Sequence, residues 1–147
     1  MDPLKLIALD HEDLEIISAH LQDAVLKASD MAFLPGVRRF ALVANRFDWE
    51  GAASGLRRRR RAGLSFARVL HARIAGFDPQ AGGTVLNLLA VTFAPTDAPS
   101  GVIELVFSGG AGLRLEVECL EAQLSDLGPA WEAAAIPAHK ADSGADG

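Results

Sequence analysis

Six apolar runs joined by short turns, preceded by a helical stretch, predict an α+β fold. The expected architecture is a six-stranded, mostly antiparallel sheet, curled or closed into a barrel, with an N-terminal helix and a short C-terminal helix. Three observations carry this. In residues 113–119, Leu113, Leu115, Val117 and Cys119 alternate with Arg114, Glu116 and Glu118, as on a strand with one face in the core and one in water. Leu14, Ile17 and Leu21 recur at helical spacing. The links between the apolar runs are short and rich in Gly and Pro, which imposes antiparallel pairing on neighbours. A pleckstrin-homology-like barrel and a single sheet wrapped on the first helix both fit this order.

The helix opens at Asp10, a capping residue, with Glu12 and Asp13 in its first turn where the helix dipole favours negative charge. It should fade near residues 22–24. Residues 25–34 form the first predicted strand, Pro35-Gly36 the turn, and residues 40–49 the second strand. Phe40, Leu42 and Ala44 alternate there with Ala41, Val43 and Phe47, so both faces are apolar and the strand is central. Residues 51–63, with three glycines and a run of arginines, read as a loop. A long third strand over residues 64–77 loses its alternation between Arg68 and Leu70, the sign of a bulge. Residues 85–93, 102–107 and 113–119 complete the sheet. Leu120, Gln123, Leu124 and Leu127 suggest a closing helix stopped by Gly128-Pro129. The expected domain is residues 1–137, with residues 138–147 a disordered tail.

The 147 residues suit one domain, and half are hydrophobic, so a core can form without a metal or disulfide. Cys119 is the only cysteine, which excludes an internal disulfide and points to a reducing compartment. The N-terminus lacks the basic and long apolar regions of a secretory signal, and the longest apolar segment, residues 85–94, is too short to cross a bilayer. These features predict a cytoplasmic protein that does not enter the membrane.

Charge is unevenly distributed. Residues 38–73 hold ten of the 14 Lys and Arg against two acids, a balance of +8 in a chain whose net charge is -5. At the centre stand Arg57, Arg58, Arg59, Arg60 and Arg61. Such a block can focus an anion field or dock an acidic surface; it can equally be a solvated turn facing acidic neighbours in the same fold. Arg46 and Trp49 are nearby in sequence and would extend the surface, Trp49 as a binding anchor or as a cap on the core. An acidic protein partner fits the block better than nucleic acid, because the aromatic strand motif of four-stranded RNA-binding modules is absent.

No catalytic or metal motif stands out. His11 and His20 are not spaced to share a helical turn face, His71 is alone in a strand, and no paired-cysteine or calcium-loop motif occurs, so neither metal nor cofactor is expected. Ser108 and the glycines after it lack the Lys-Ser/Thr ending of a phosphate loop and join two strands, as a hairpin turn does. Asp10 with Asp13, and Glu116 with Glu118, are explained by capping and by an exposed strand face.

Several stretches together resemble the uncharacterised bacterial domain-of-unknown-function family 2948. They are Lys5-Leu6-Ile7-Ala8-Leu9-Asp10, Glu12-Asp13-Leu14, Ile17-Ser18-Ala19-His20-Leu21-Gln22-Asp23-Ala24, Phe47-Asp48-Trp49-Glu50, Gly63-Leu64-Ser65-Phe66, Leu113-Arg114-Leu115-Glu116-Val117-Glu118-Cys119 and Asp126-Leu127-Gly128. The resemblance implies a bacterial cytoplasmic protein of one small domain and supplies no activity, cofactor or catalytic residue. Within it, His20-Leu21-Gln22-Asp23 and Phe47-Asp48-Trp49 look like signatures that periodicity does not require.

The expected function is therefore a non-catalytic binding or adaptor domain that contacts an acidic protein or phosphate-bearing partner through Arg46, Trp49 and the arginine run. The alternative is a small-molecule binder or enzyme with a pocket between the first helix and the sheet, involving His20, Gln22, Asp23 and Asp48. A homodimer with a structural role is a third reading.

Overall fold

The computed structural model describes residues 3–132. In chain order its elements are β1 (Lys5–Ala8), α1 (His11–Leu21), β2 (Ala24–Lys27), β3 (Met31–Leu34), β4 (Arg39–Phe47), α2 (Trp49–Ala53), β5 (Arg58–Phe66), β6 (Val69–Ala75), β7 (Val85–Pro95), β8 (Gly101–Phe107), β9 (Gly112–Val117), β10 (Ala122–Asp126) and β11 (Trp131–Glu132). The strands form one sheet in the order β1-β10-β5-β4-β2-β7-β8-β9-β6, with β11 on β5 and β3 on β4. Every pairing is antiparallel.

The α+β class and the antiparallel pairing hold. The six-stranded count and the closed barrel do not: the described residues form a sheet of eleven strands, and its order ends at β1 and β6. It curls strongly nonetheless. Leu42, Leu64 and Leu124 from one half share a single apolar cluster with Leu88, Ile103, Leu105 and Leu115 from the other. Leu14, Ile17 and Leu21 of α1 enter the same cluster, at no more than 1 % exposure, so the helix fills the hollow of the curl. Asp10 caps α1 as the sequence indicates, its Oδ1 accepting from the Asp13 N–H at 2.8 Å.

Several expectations are corrected. Lys5, Leu6, Ile7 and Ala8 form an edge strand the sequence reading omitted. Residues 25–34 are two strands separated by a single helical turn at Ala28–Asp30. Residues 64–77 divide at Arg68, which takes a left-handed conformation with φ of 59°. The expected bulge is real and lies where the register of β6 on β9 shifts between Val69 and His71. The predicted C-terminal helix is strand β10. Leu120, Gln123, Leu124 and Leu127 fit a helical stripe, but Ala122 and Leu124 also fit a period of two, and the open slot between β1 and β5 decides for the strand. β9 ends at Val117, so Cys119 lies in a bend and is half-buried rather than on the core face. The tail expected at residues 138–147 lies outside the described residues. Among the described residues, no helix is long and apolar enough to cross a membrane.

Candidate functional site

The arginine run is not a loop. Arg57 precedes β5, and the next four arginines open it. The pleat then sorts them: Arg58 and Arg60 share a face with Ala62, Leu64 and Phe66, while Arg59 and Arg61 take the other. Residues 51–53 of the expected loop, together with Trp49 of the expected second strand, belong to α2, which Asp48 caps.

On the core face, Arg60 stands directly opposite Arg46 of β4. Between them and the end of β10 sits Asp126. Its carboxylate accepts from Arg46 Nε and Nη2, both at 2.8 Å, and from the Leu4 N–H at 2.7 Å. Arg60 Nε lies 3.9 Å from the same group. The Arg46 and Asp126 side chains are 1 % and 0 % exposed. Burial opposes ionisation of Asp126, but the Arg46 hydrogen bonds, the Leu4 N–H and the charges of Arg46 and Arg60 outweigh it and hold the carboxyl below its ordinary value. A second carboxylate, that of Asp48, accepts from the Gly51 N–H at 3.0 Å, capping α2, and from Arg58 Nη2 at 3.0 Å. These groups form a polar plug closing one end of the core.

On the outer face, Arg59 is also buried. Its Nη1 donates to the Asn45 carbonyl at 3.0 Å, and its guanidinium lies 5.9 Å from the centre of the Phe47 ring. Trp49 meets Phe47 edge-on at 4.7 Å and donates from Nε1 to the Gln22 carbonyl at 3.1 Å. Trp49 therefore ties α2 to the end of α1. Of the five arginines, Arg57 and Arg61 are exposed.

The residues proposed to line a pocket beside α1 are placed separately. Gln22 meets Trp49. Asp23, buried and left-handed at φ of 64°, donates its backbone N–H to the Leu88 carbonyl at 2.8 Å. His20 is half-buried, and its Nδ1 is buried without a partner among the described residues. No hydrogen bond or ion pair among the described residues joins His20 or Asp23 to Asp48 or Arg46.

A cleft that the sequence reading did not find lies on the outer face between β2 and β4. Val25 pairs with Asn45 and Met31 pairs with Leu42, so five residues of one strand, 26–30, stand against two of the other, Val43 and Ala44. The extra chain cannot lie flat. It leaves β4, pairs with β7 at Leu26 and Lys27, turns at Ala28–Asp30 and returns as β3. The parted strands leave a cavity of about 430 Å³ lined by Val25, Leu26, Lys27, Asp30, Val43, Ala44, Asn45, Arg61 and Val85. Asn45 stands directly opposite Arg61, and its Oδ1 is buried without a partner among the described residues. Among the described residues, Lys27, Asp30 and Arg61 make no ion pair. Lys27, Asp30 and Asn45 gave no motif because their meeting depends on that bulge.

Among the described residues, no group of three or more His, Cys, Asp or Glu is arranged to hold a metal ion. The fold defines a small, sheet-rich α+β domain. The family model described as "Protein of unknown function (DUF2948)" matches residues 4–139, and the chain belongs to that family. No curated protein and no solved structure matches the chain.

Proposed function

We propose that this chain is a non-catalytic binding domain that takes a small carboxylate- or phosphate-bearing ligand in the cleft between β2 and β4. The observation that supports this reading is the company of Lys27 and Arg61, cations without an ion-pair partner among the described residues, beside the unpartnered amide oxygen of Asn45. The cavity is at the small-ligand end of the usual range of binding sites. The binding role expected of the arginine run thereby moves to its last member. Arg46, Arg58, Arg59 and Arg60 serve the fold, and Asp48 and Asp126 are committed to capping and ion pairing. A cytoplasmic setting accords with the lone Cys119.

The test is thermal unfolding and calorimetric titration with phosphate, citrate and short monocarboxylates. A ligand at 100 times its Kd should stabilise the wild type by about 2.7 kcal/mol, and the Lys27→Gln/Arg61→Gln variant should show no such gain. Equal responses of wild type and variant would overturn the assignment. Exposed Arg57 and Arg61 favour a second reading, an acidic protein surface as partner. That reading requires a partner captured in the presence of nuclease and lost in an Arg57→Gln variant that keeps the wild-type response to small anions.

A further inference from the structure

We infer that the ligand of the β2–β4 cleft is dipolar: a small aliphatic molecule with a carboxylate at one end and a protonated amine at the other, the chemical class of the free aliphatic amino acids. This rests on the reading that the cleft binds small anions. Two cations alone would select any anion of suitable size. The cleft also carries Asp30, half-buried and without an ion pair among the described residues, and Asn45, whose Oδ1 is buried and lacks a donor. The Asp30 carboxylate and the Asn45 Oδ1 are acceptors, and an anionic group satisfies neither atom. An ammonium offers three donors and a positive charge, and so answers both.

Asp30 and Arg61 come from opposite sides of β4, so one ligand charged at both ends can meet the two. Asp30 comes from the turn after β2, on the chain that has left β4, whereas Arg61 lies across β4 from the cleft, opposite Asn45. The acid and the cations line one cavity without pairing with one another. The lining also includes aliphatic side chains, those of Val25, Val43 and Val85. The row continues across the sheet: Val25 is opposite Asn45 on one side and Asn87 on the other, and Asn87 Oδ1 is likewise buried without a partner among the described residues. A buried amide oxygen without a donor is costly in the empty protein, and a ligand N–H directed at it recovers that cost on binding.

Isothermal titration with L-valine, N-acetyl-L-valine, L-valinamide, acetate and phosphate tests the assignment. Valine should bind at least about tenfold more tightly than either derivative, since each lacks one charged group and its charge-assisted hydrogen bonds. Asp30→Asn should abolish the preference for valine over N-acetylvaline, and Arg61→Gln the preference for valine over valinamide. Each variant is checked to have the wild-type urea midpoint. If N-acetylvaline, acetate or phosphate binds as tightly as valine, the dipolar assignment is overturned while the anion-binding reading stands. If none of the five binds, and citrate does not either, both fall.

Discussion

Asp126→Asn should be among the most damaging single changes in this chain. The substitution keeps the shape of the side chain and removes its charge. In the native protein that charge accepts two hydrogen bonds from Arg46 and one from the Leu4 N–H, with Arg60 at 3.9 Å. Both Arg46 and Asp126 are out of solvent. Losing the carboxylate leaves a guanidinium buried without its counter-charge, which costs about 3–5 kcal/mol. A domain of this size has a total stability of about 5–15 kcal/mol, and the expected fall in Tm is roughly 6–20 °C. Urea unfolding of the wild type, Asp126→Asn, Arg46→Met and the double variant measures it. The double variant should lose less than the sum of the singles by about 1–3 kcal/mol, since removing both partners removes the orphaned charge. The pH dependence gives a separate check. The folded carboxyl titrates below its ordinary value of 3.8. Its contribution is therefore fully present above the unfolded value and is lost as pH falls through the depressed folded one. The stability gap between wild type and Asp126→Asn should be flat from about pH 7 to 5 and shrink below about pH 4. A cost under about 1 kcal/mol with an unchanged urea slope, or strictly additive singles, would refute a buried pair that closes the core.

Three further outcomes are expected. Asp10→Ala removes the α1 cap and should cost about 0.5–2 kcal/mol, read as a lower urea midpoint with an unchanged slope. At Gly101 an added Cβ would stand 2.5 Å from the Phe93 ring and 2.6 Å from the Ala94 carbonyl oxygen, so Gly101→Ala should destabilise by about 1–3 kcal/mol in the same assay. Arg57→Gln with Arg61→Gln should leave the Tm nearly unchanged, whereas Arg60→Gln should lower it by several degrees, because Arg60 is buried beside Asp126.

Much of the fold was legible because local patterns and tertiary packing agree. Leu14, Ile17 and Leu21 face the core as their spacing requires, and Leu113, Leu115 and Val117 are buried while Arg114 is exposed. Pro35 and Gly36 turn the chain between β3 and β4 as expected. The failures fall where two periods fit the same residues. In residues 120–127 a helical stripe and a strand alternation both exist, and only the vacant place between β1 and β5 separates them. The cleft was illegible for a different reason. Residues 25–34 read as one strand, and both halves do pair with β4; what no local pattern states is that five residues span the space of two. That surplus is a property of the pairing, and with it come Lys27, Asp30 and Asn45 as neighbours.

The arginine run shows why charge patterning misleads within a sheet. Five identical residues have no period, so they carry no sign of whether they are loop or strand. What decides is whether counter-charges and aromatic faces arrive from elsewhere to make burial tolerable. Asp126 comes from β10, Asp48 from the start of α2, and Phe47 from β4, each through pairing or packing that the run itself does not encode. Once these are in place, the alternation of β5 sends Arg60 towards Asp126 and Arg58 towards Asp48, and sets Arg59 over Phe47. Arg61 comes next, on the outer face, across β4 from the chain that parts between β2 and β3, and no acid pairs with it among the described residues. The excess of positive charge in this run is thus mostly internal structure: Arg58, Arg59 and Arg60 are taken up by the fold, and Arg57 and Arg61 stay exposed.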